Sequence, residues 1–110
     1  MTGVDVSGAG TSTETIALSD DGAGGTVKIA GNVGTEFKSV TLTAGDEIEL
    51  GGTITTVDIA DNDVDINGPV TLTAATTINT SANDGTIDFS STIDGGFNLT
   101  LNSDSGVIGV

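Results

Sequence analysis

From residue 15 onward the chain alternates apolar and polar positions in short bursts, each stopped by Gly, Asp or Asn. Alternation of this kind puts one set of side chains on one face of an extended strand and the other set on the opposite face. It predicts strands over residues 15–18, 26–30, 39–43, 47–50, 53–59, 64–67, 70–73, 76–79, 86–90, 97–101 and 107–110. Turn residues separate them: Asp21 with Gly22, Gly51 with Gly52, Asn67 with Gly68 and Pro69, Asp84 with Gly85, and Asp94 with Gly95 and Gly96. No stretch keeps the i, i+3, i+4 spacing of a helix, so the chain reads as all-β. Residues 1–14, small and polar, read as a poorly ordered lead-in, which leaves 15–110 as the folded segment.

The bursts echo one another. VTLTAGDEI, residues 40–48, returns at an offset of 30 as VTLTAATTI, residues 70–78, with six positions identical. Gly52-Thr53-Ile54 matches Gly85-Thr86-Ile87 at an offset of 33, and residues 15–18 with the acidic turn after them resemble residues 98–101, an offset of 83. Self-similarity at such intervals is the mark of stacked supersecondary units, here read as units as long as the two shorter offsets within a longer array. The fold expected is a β-solenoid, a right-handed parallel β-helix filled by stacked Val, Ile and Leu. Val40 and Leu42, Val70 and Leu72, Ile87 and Phe89, and Leu99 and Leu101 are expected to point inward. The alternative is an immunoglobulin-like or cadherin-like β-sandwich, which a chain of 110 residues also accommodates.

Composition favours the solenoid. Three phenylalanines, Phe37, Phe89 and Phe97, are the only aromatics. A sandwich core usually holds a Trp or Tyr, whereas stacked aliphatic rows need no large rings. Seventeen glycines and many Thr, Ser, Asn and Asp residues are concentrated between the apolar bursts, unlike their even spread in a disordered chain.

Charge narrows the choice of partners. Sixteen acidic residues face two lysines, Lys28 and Lys38, for a formal net charge of −14, with no arginine or histidine. Such a surface repels phosphate backbones and anionic headgroups, which argues against nucleic-acid binding, and no apolar run is long enough for membrane insertion. The lack of cysteine excludes disulfides and thiolate metal sites. The first ten residues, MTGVDVSGAG, lack the basic start and apolar stretch of a signal peptide, so export would make this chain a piece of something longer.

The run DGTIDFSSTIDGGFNLTLNSDSGVI, residues 84–108, with NGPVTLTAATTI before it, resembles the β-strand repeats of giant bacterial surface proteins related to filamentous haemagglutinin. The similarity covers residues 15–110 and consists of strand-and-turn patterns. It implies a right-handed parallel β-helix in a secreted or surface-attached adhesin, extracellular and working with other repeats of the same polypeptide, or with components of a host or neighbouring-cell surface. The Asp-rich segment 57–67 departs from the pattern.

That segment, VDIADNDVDIN, is also the one local concentration of possible ligands. Asp58, Asp61, Asp63 and Asp65 offer hard oxygen donors of the kind calcium needs, which makes calcium the one cofactor to consider. The spacing is not that of an EF-hand loop: counted from Asp61, Ile66 stands where Gly is required and Leu72 where Glu is required. A solvated turn holding Asp61 and Asp63, with Asp58 and Asp65 facing water, explains the same residues. Outward threonines, Thr41 with Thr43, Thr53 with Thr55 and Thr71 with Thr73, form a hydroxyl and methyl ladder of the sort some solenoids present to ice, although Thr also simply favours exposed strand positions.

Without His or Arg, the chain lacks the groups that activate a nucleophile or stabilise developing negative charge, and no catalytic residue is assigned. The expectation is therefore a non-enzymatic structural or adhesive segment, a rigid stalk or display surface. The other readings are a calcium-dependent cadherin-like adhesion module and a carbohydrate-active β-helix protein.

Overall fold

A computed structural model describes residues 14–34 and 37–110, and the expected lead-in, apart from Glu14, lies outside them. Twelve strands follow one another: β1 Glu14–Asp20, β2 Thr26–Ile29, β3 Phe37–Ala44, β4 Glu47–Leu50, β5 Thr53–Thr55, β6 Val64–Asn67, β7 Val70–Leu72, β8 Thr76–Asn79, β9 Ile87–Phe89, β10 Ile93–Asp94, β11 Leu99–Asn102 and β12 Ile108–Gly109. They form three sheets, ordered β1-β3-β6-β9-β12, β2-β4-β7-β10 and β5-β8-β11. Every pairing is parallel and joins a strand to its counterpart one coil later. Val33 extends the third sheet through a parallel bridge to Ile54. The described residues contain no helix and no antiparallel hairpin, so the chain is a β-solenoid of about four coils and not a sandwich.

The core is built of columns. Ile16, Val40, Val64, Ile87 and Ile108 stand in register on the first sheet, beside Leu18, Leu42, Ile66 and Phe89. Val27, Ile48, Val70 and Ile93 line the second sheet, and Val33, Ile54, Ile78 and Leu101 the third. Most of these side chains are buried in one continuous cluster, while Ile16, Leu18, Ile93, Leu99 and Leu101 pack against it half-buried. Each fully buried aliphatic contributes about 1.5–3 kcal/mol, which is how a nearly ring-free chain obtains its core.

Along a column the residue number advances by 21 to 24 per coil, as in 16, 40, 64, 87 and 108 or 27, 48, 70 and 93. This corrects the longer unit inferred from the offsets of 30 and 33. Val40 lies in β3 of the first sheet and Val70 in β7 of the second, and Gly52-Thr53-Ile54 likewise falls on a different sheet from Gly85-Thr86-Ile87. The echoes record one strand recipe used on different sides of the coil. The echo at offset 83 has the same origin, since it pairs β1 of the first sheet with β11 of the third.

Coil length varies because the corners do. Two residues, Gly45 and Asp46 or Gly68 and Pro69, connect the first sheet to the second in the middle coils, whereas eight residues run from β5 to β6 and seven from β8 to β9. Two further departures from the sequence reading share this cause. The strand expected over 53–59 stops at Thr55, because residues 56–63 turn the third corner, and the two-residue strand β10 is too short to show alternation.

Where corners stack, side chains run out of room. A Cβ at Gly85 would collide with the backbone and amide oxygen of Asn62 in the coil before, and one at Gly52 would strike the Gly31 carbonyl. Glycine at these points lets adjacent coils approach to ladder distance.

Candidate functional site

The four aspartates of segment 57–67 lie along the third corner and the strand that leaves it. Among the described residues no three acidic side chains converge as a metal set. Each aspartate instead has its own neighbour in an adjacent coil. Asp58 accepts a 3.0 Å hydrogen bond from Asn83 Nδ2, and Asp63 accepts one of 2.7 Å from the Thr86 backbone N–H. Asp61 faces Lys38 of the coil before, 3.5 Å from its Nζ, in an exposed pair of the kind that adds little stability. Asp65 sits in β6 between Thr41 and Asp88 in the register of the first sheet. Burial, reinforced by the charges of Asp63 and Asp88, raises its carboxyl above the ordinary value. The sequence reading turns Asp65 to water, but the stacked neighbours half-bury it.

Beneath the aspartates is a buried polar device that the sequence reading misses. Thr56, Thr80 and Ser103 turn inward at the third corner, and all three are buried. Their hydroxyls donate to carbonyls further along the same corner: Thr56 to Asn62 at 2.9 Å, Thr80 to Gly85 at 2.6 Å, Ser103 to Gly106 at 2.9 Å. Inside each of these corners lies an aspartate with positive φ, Asp61 at 61°, Asp84 at 56° and Asp104 at 51°. Asp tolerates this left-handed region better than most residues, because its short side chain can satisfy nearby backbone groups. The corner is thus written three times as an inward hydroxyl, a left-handed Asp and a closing carbonyl.

Asn62 adds a bond between coils. It is fully buried, and its Nδ2 donates to the carbonyls of Val57 and Thr80, each at 3.0 Å. The second of these bonds reaches the following coil, and the Ser105 N–H donates back to Asp84 Oδ1 of the coil before, at 3.1 Å. The signal is present in the sequence: the numbers of Thr56 and Thr80 differ by 24 and those of Thr80 and Ser103 by 23, which is the coil spacing itself.

The outward faces differ in charge. On the first sheet one row reads Ala17, Thr41, Asp65, Asp88, Gly109, and on the second Lys28, Glu49, Thr71, Asp94. The third sheet carries Thr53, Thr77 and Thr100 in one row and Thr55, Asn79 and Asn102 in the next, without a charge. The three threonine pairs of the expected ladder, Thr41 with Thr43, Thr71 with Thr73 and Thr53 with Thr55, lie on three different sides of the coil and form no common ladder. The threonine row that does exist is a different one, Thr53, Thr77 and Thr100, and the row beside it passes from Thr to Asn. The described residues enclose no pocket, and no helix among them is long and apolar enough to cross a membrane.

Comparison with known proteins returns no match to a family model, a curated protein or a solved structure.

Proposed function

We infer that this chain is a structural segment, a rigid stalk or display surface, of a larger secreted or cell-surface adhesin. The observation that carries the reading is the uninterrupted ladder. The first four coils are joined by parallel backbone pairing on all three sides, on the third side by a single bridge between the first two, and hydrogen bonds of the third corner link the later coils. Such a body transmits position along its axis and offers long flat faces, which are what a spacer or scaffold supplies. The lack of His and Arg and the absence of an enclosed pocket among the described residues fit a part that holds other parts in place. The resemblance of residues 84–108 to adhesin repeats points the same way, and the acidic surface suits a protein bathed in salt. In this reading its partners are neighbouring repeats of the same polypeptide, and through them a host or neighbouring-cell surface.

Location tests the reading. An antibody raised against the folded chain is expected to label intact producing cells and to lose that label after protease shaving. Label confined to lysed cells would overturn it.

A further inference from the structure

Four steps from Asp or Asn to Gly lie among the described residues: Asp21-Gly22, Asn67-Gly68, Asp84-Gly85 and Asp94-Gly95. Such a step carries a latent reaction, because the glycine nitrogen can attack the side-chain carbonyl carbon before it and close a five-membered ring. The fold treats these steps differently. At Asp84-Gly85 both partners are engaged elsewhere: the Gly85 N–H donates to the Thr80 carbonyl at 3.2 Å, and Asp84 Oδ1 accepts from the Ser105 N–H at 3.1 Å. Asn67 ends β6 in register with Thr43, and Gly68 packs against the Ala44 carbonyl. Asp94 is held in another way. It is exposed on the outward side of the second sheet, in register with Thr71, and its Oδ1 accepts from the N–H of Gly95 at 2.7 Å. Among the described residues no other of these steps makes this contact. We propose that Asp94 is a site of spontaneous covalent modification, where attack by the Gly95 nitrogen rearranges the residue to isoaspartate.

The reaction balances with water alone. The Gly95 nitrogen gives its proton to solvent and bonds to Asp94 Cγ, while the carboxyl hydroxyl takes up a proton and leaves as water. The product is a succinimide, lighter by one water. A second water then adds to one of the two ring carbonyls. Addition at Cγ restores Asp94. Addition at the main-chain carbonyl carbon breaks its bond to the Gly95 nitrogen, so the chain now runs through Cβ and Cγ and the freed carboxylate becomes the side group. Ring closure starts from a separation of about 3–3.5 Å between the reacting atoms. Cγ is one bond from an oxygen that already lies 2.7 Å from the nitrogen. Gly95, at φ 118°, has no side chain to shield that nitrogen. The added main-chain carbon falls at the end of β10, where the turn to β11 begins. The inference depends on the fold and not on the adhesin reading.

Ageing the full chain in heavy-oxygen water tests it. Chymotryptic cleavage after Phe89 and Phe97 releases residues 90–97, SSTIDGGF, in which Asp94 is the only acidic side chain. Isoaspartate is read as a chromatographically resolved isomer of this peptide that has gained one heavy oxygen. The synthetic peptide 90–97, aged alongside, supplies the same step without the fold. The isomer is expected about tenfold faster in the folded chain, whose contact holds the reacting groups together. At Asp84 and Asn67 the folded chain is expected to react about tenfold more slowly than matching peptides. Asp94→Asn should react faster than wild type, since ammonia leaves in place of water, and Asp94→Glu, which would have to close a larger ring, should give no isomer. Far-UV circular dichroism verifies that both variants are folded, and the wild-type comparison stands without them. An isomer at Asp94 that forms no faster in the folded chain than in the peptide would overturn the proposal. So would its formation in Asp94→Glu, or an equal acceleration by the fold at Asp84 or Asn67.

Discussion

The inward hydroxyls of the third corner give the sharpest test of how the coils are closed. Thr80 is fully buried and donates at 2.6 Å to the Gly85 carbonyl, itself part of a buried residue. Thr80→Val replaces the hydroxyl by a methyl of similar size, so little cavity opens and packing is nearly preserved. What is lost is the hydrogen bond, and a buried carbonyl is left without this donor, a combination that costs about 2 kcal/mol. For a domain of this size that corresponds to a melting temperature lower by about 10 °C. Thr80→Ser is the control. It keeps the hydroxyl and gives up one methyl, a loss of about 1 kcal/mol, and serine occupies the equivalent place in the next coil at Ser103. Denaturant titration followed by far-UV circular dichroism is the appropriate assay, since the chain has no Trp or Tyr to report by fluorescence. The midpoint should fall in the order wild type, Ser, Val with an unchanged slope. A Val variant within about 0.5 kcal/mol of wild type, or a Ser variant as damaged as Val, would refute the idea that the hydroxyl closes the corner.

Three further outcomes follow from the same geometry. Asp65 binds its proton more tightly folded than unfolded, because burial and the nearby Asp63 and Asp88 raise its carboxyl above the ordinary 3.8, so the stability it contributes declines as pH climbs from about 3.8 through the folded value. Asp65→Asn should therefore melt above wild type at neutral pH and lose that advantage in acid below 3.8; an equal gap at both ends of a pH series of thermal melts would contradict this. Gly85→Ala forces a Cβ into the Asn62 backbone and should destabilise by about 1–3 kcal/mol in chemical denaturation, whereas Gly96→Ala, with open space around it, should change little; equal effects would rule out the steric account. Calcium and magnesium at matched ionic strength should raise the melting temperature alike, since the four aspartates are spread along the corner, and a calcium-specific rise abolished by Asp63→Asn would reinstate a site there.

Much of the fold is legible because its determinants are local. Period-2 alternation places Val40, Leu42, Val70, Leu72, Ile87 and Phe89 inside, and all six are buried. Leu99 and Leu101 also face inward but are half-buried, being members of the last full coil. The coil length is not legible, because matching by identity rewards copies of VTLTA, while stacking requires only that an apolar residue recur at the same point of the coil. Val40 is followed in its column by Val64, within a segment set aside for its aspartates. The corner is hidden for a related reason. A buried Thr looks like an exposed one until the coil length is known, and only then do Thr56, Thr80 and Ser103 fall one above another. The aspartates draw notice as ligands through their density, yet what sets each one's role is the coil above or below it, which is remote in sequence.

The unequal corners imply where this body tolerates growth. The columns fix the strands to the residue, since a shift of one position would turn Leu42 or Ile66 out of the core. The two-residue corners at Gly45 and Asp46 or Gly68 and Pro69 leave no slack. Between Val57 and Asp61 the chain already runs over the surface, and lengthening this loop twofold would cost only about 0.6 kcal/mol of closure entropy. Extra chain inserted there would leave Thr56 and Asn62 to close the corner beneath it. The solenoid thus has an inner register that is rigid in sequence and an outer margin open to revision, so that new loops and the surfaces they carry can be acquired on the third-corner side without disturbing the stack that supports them.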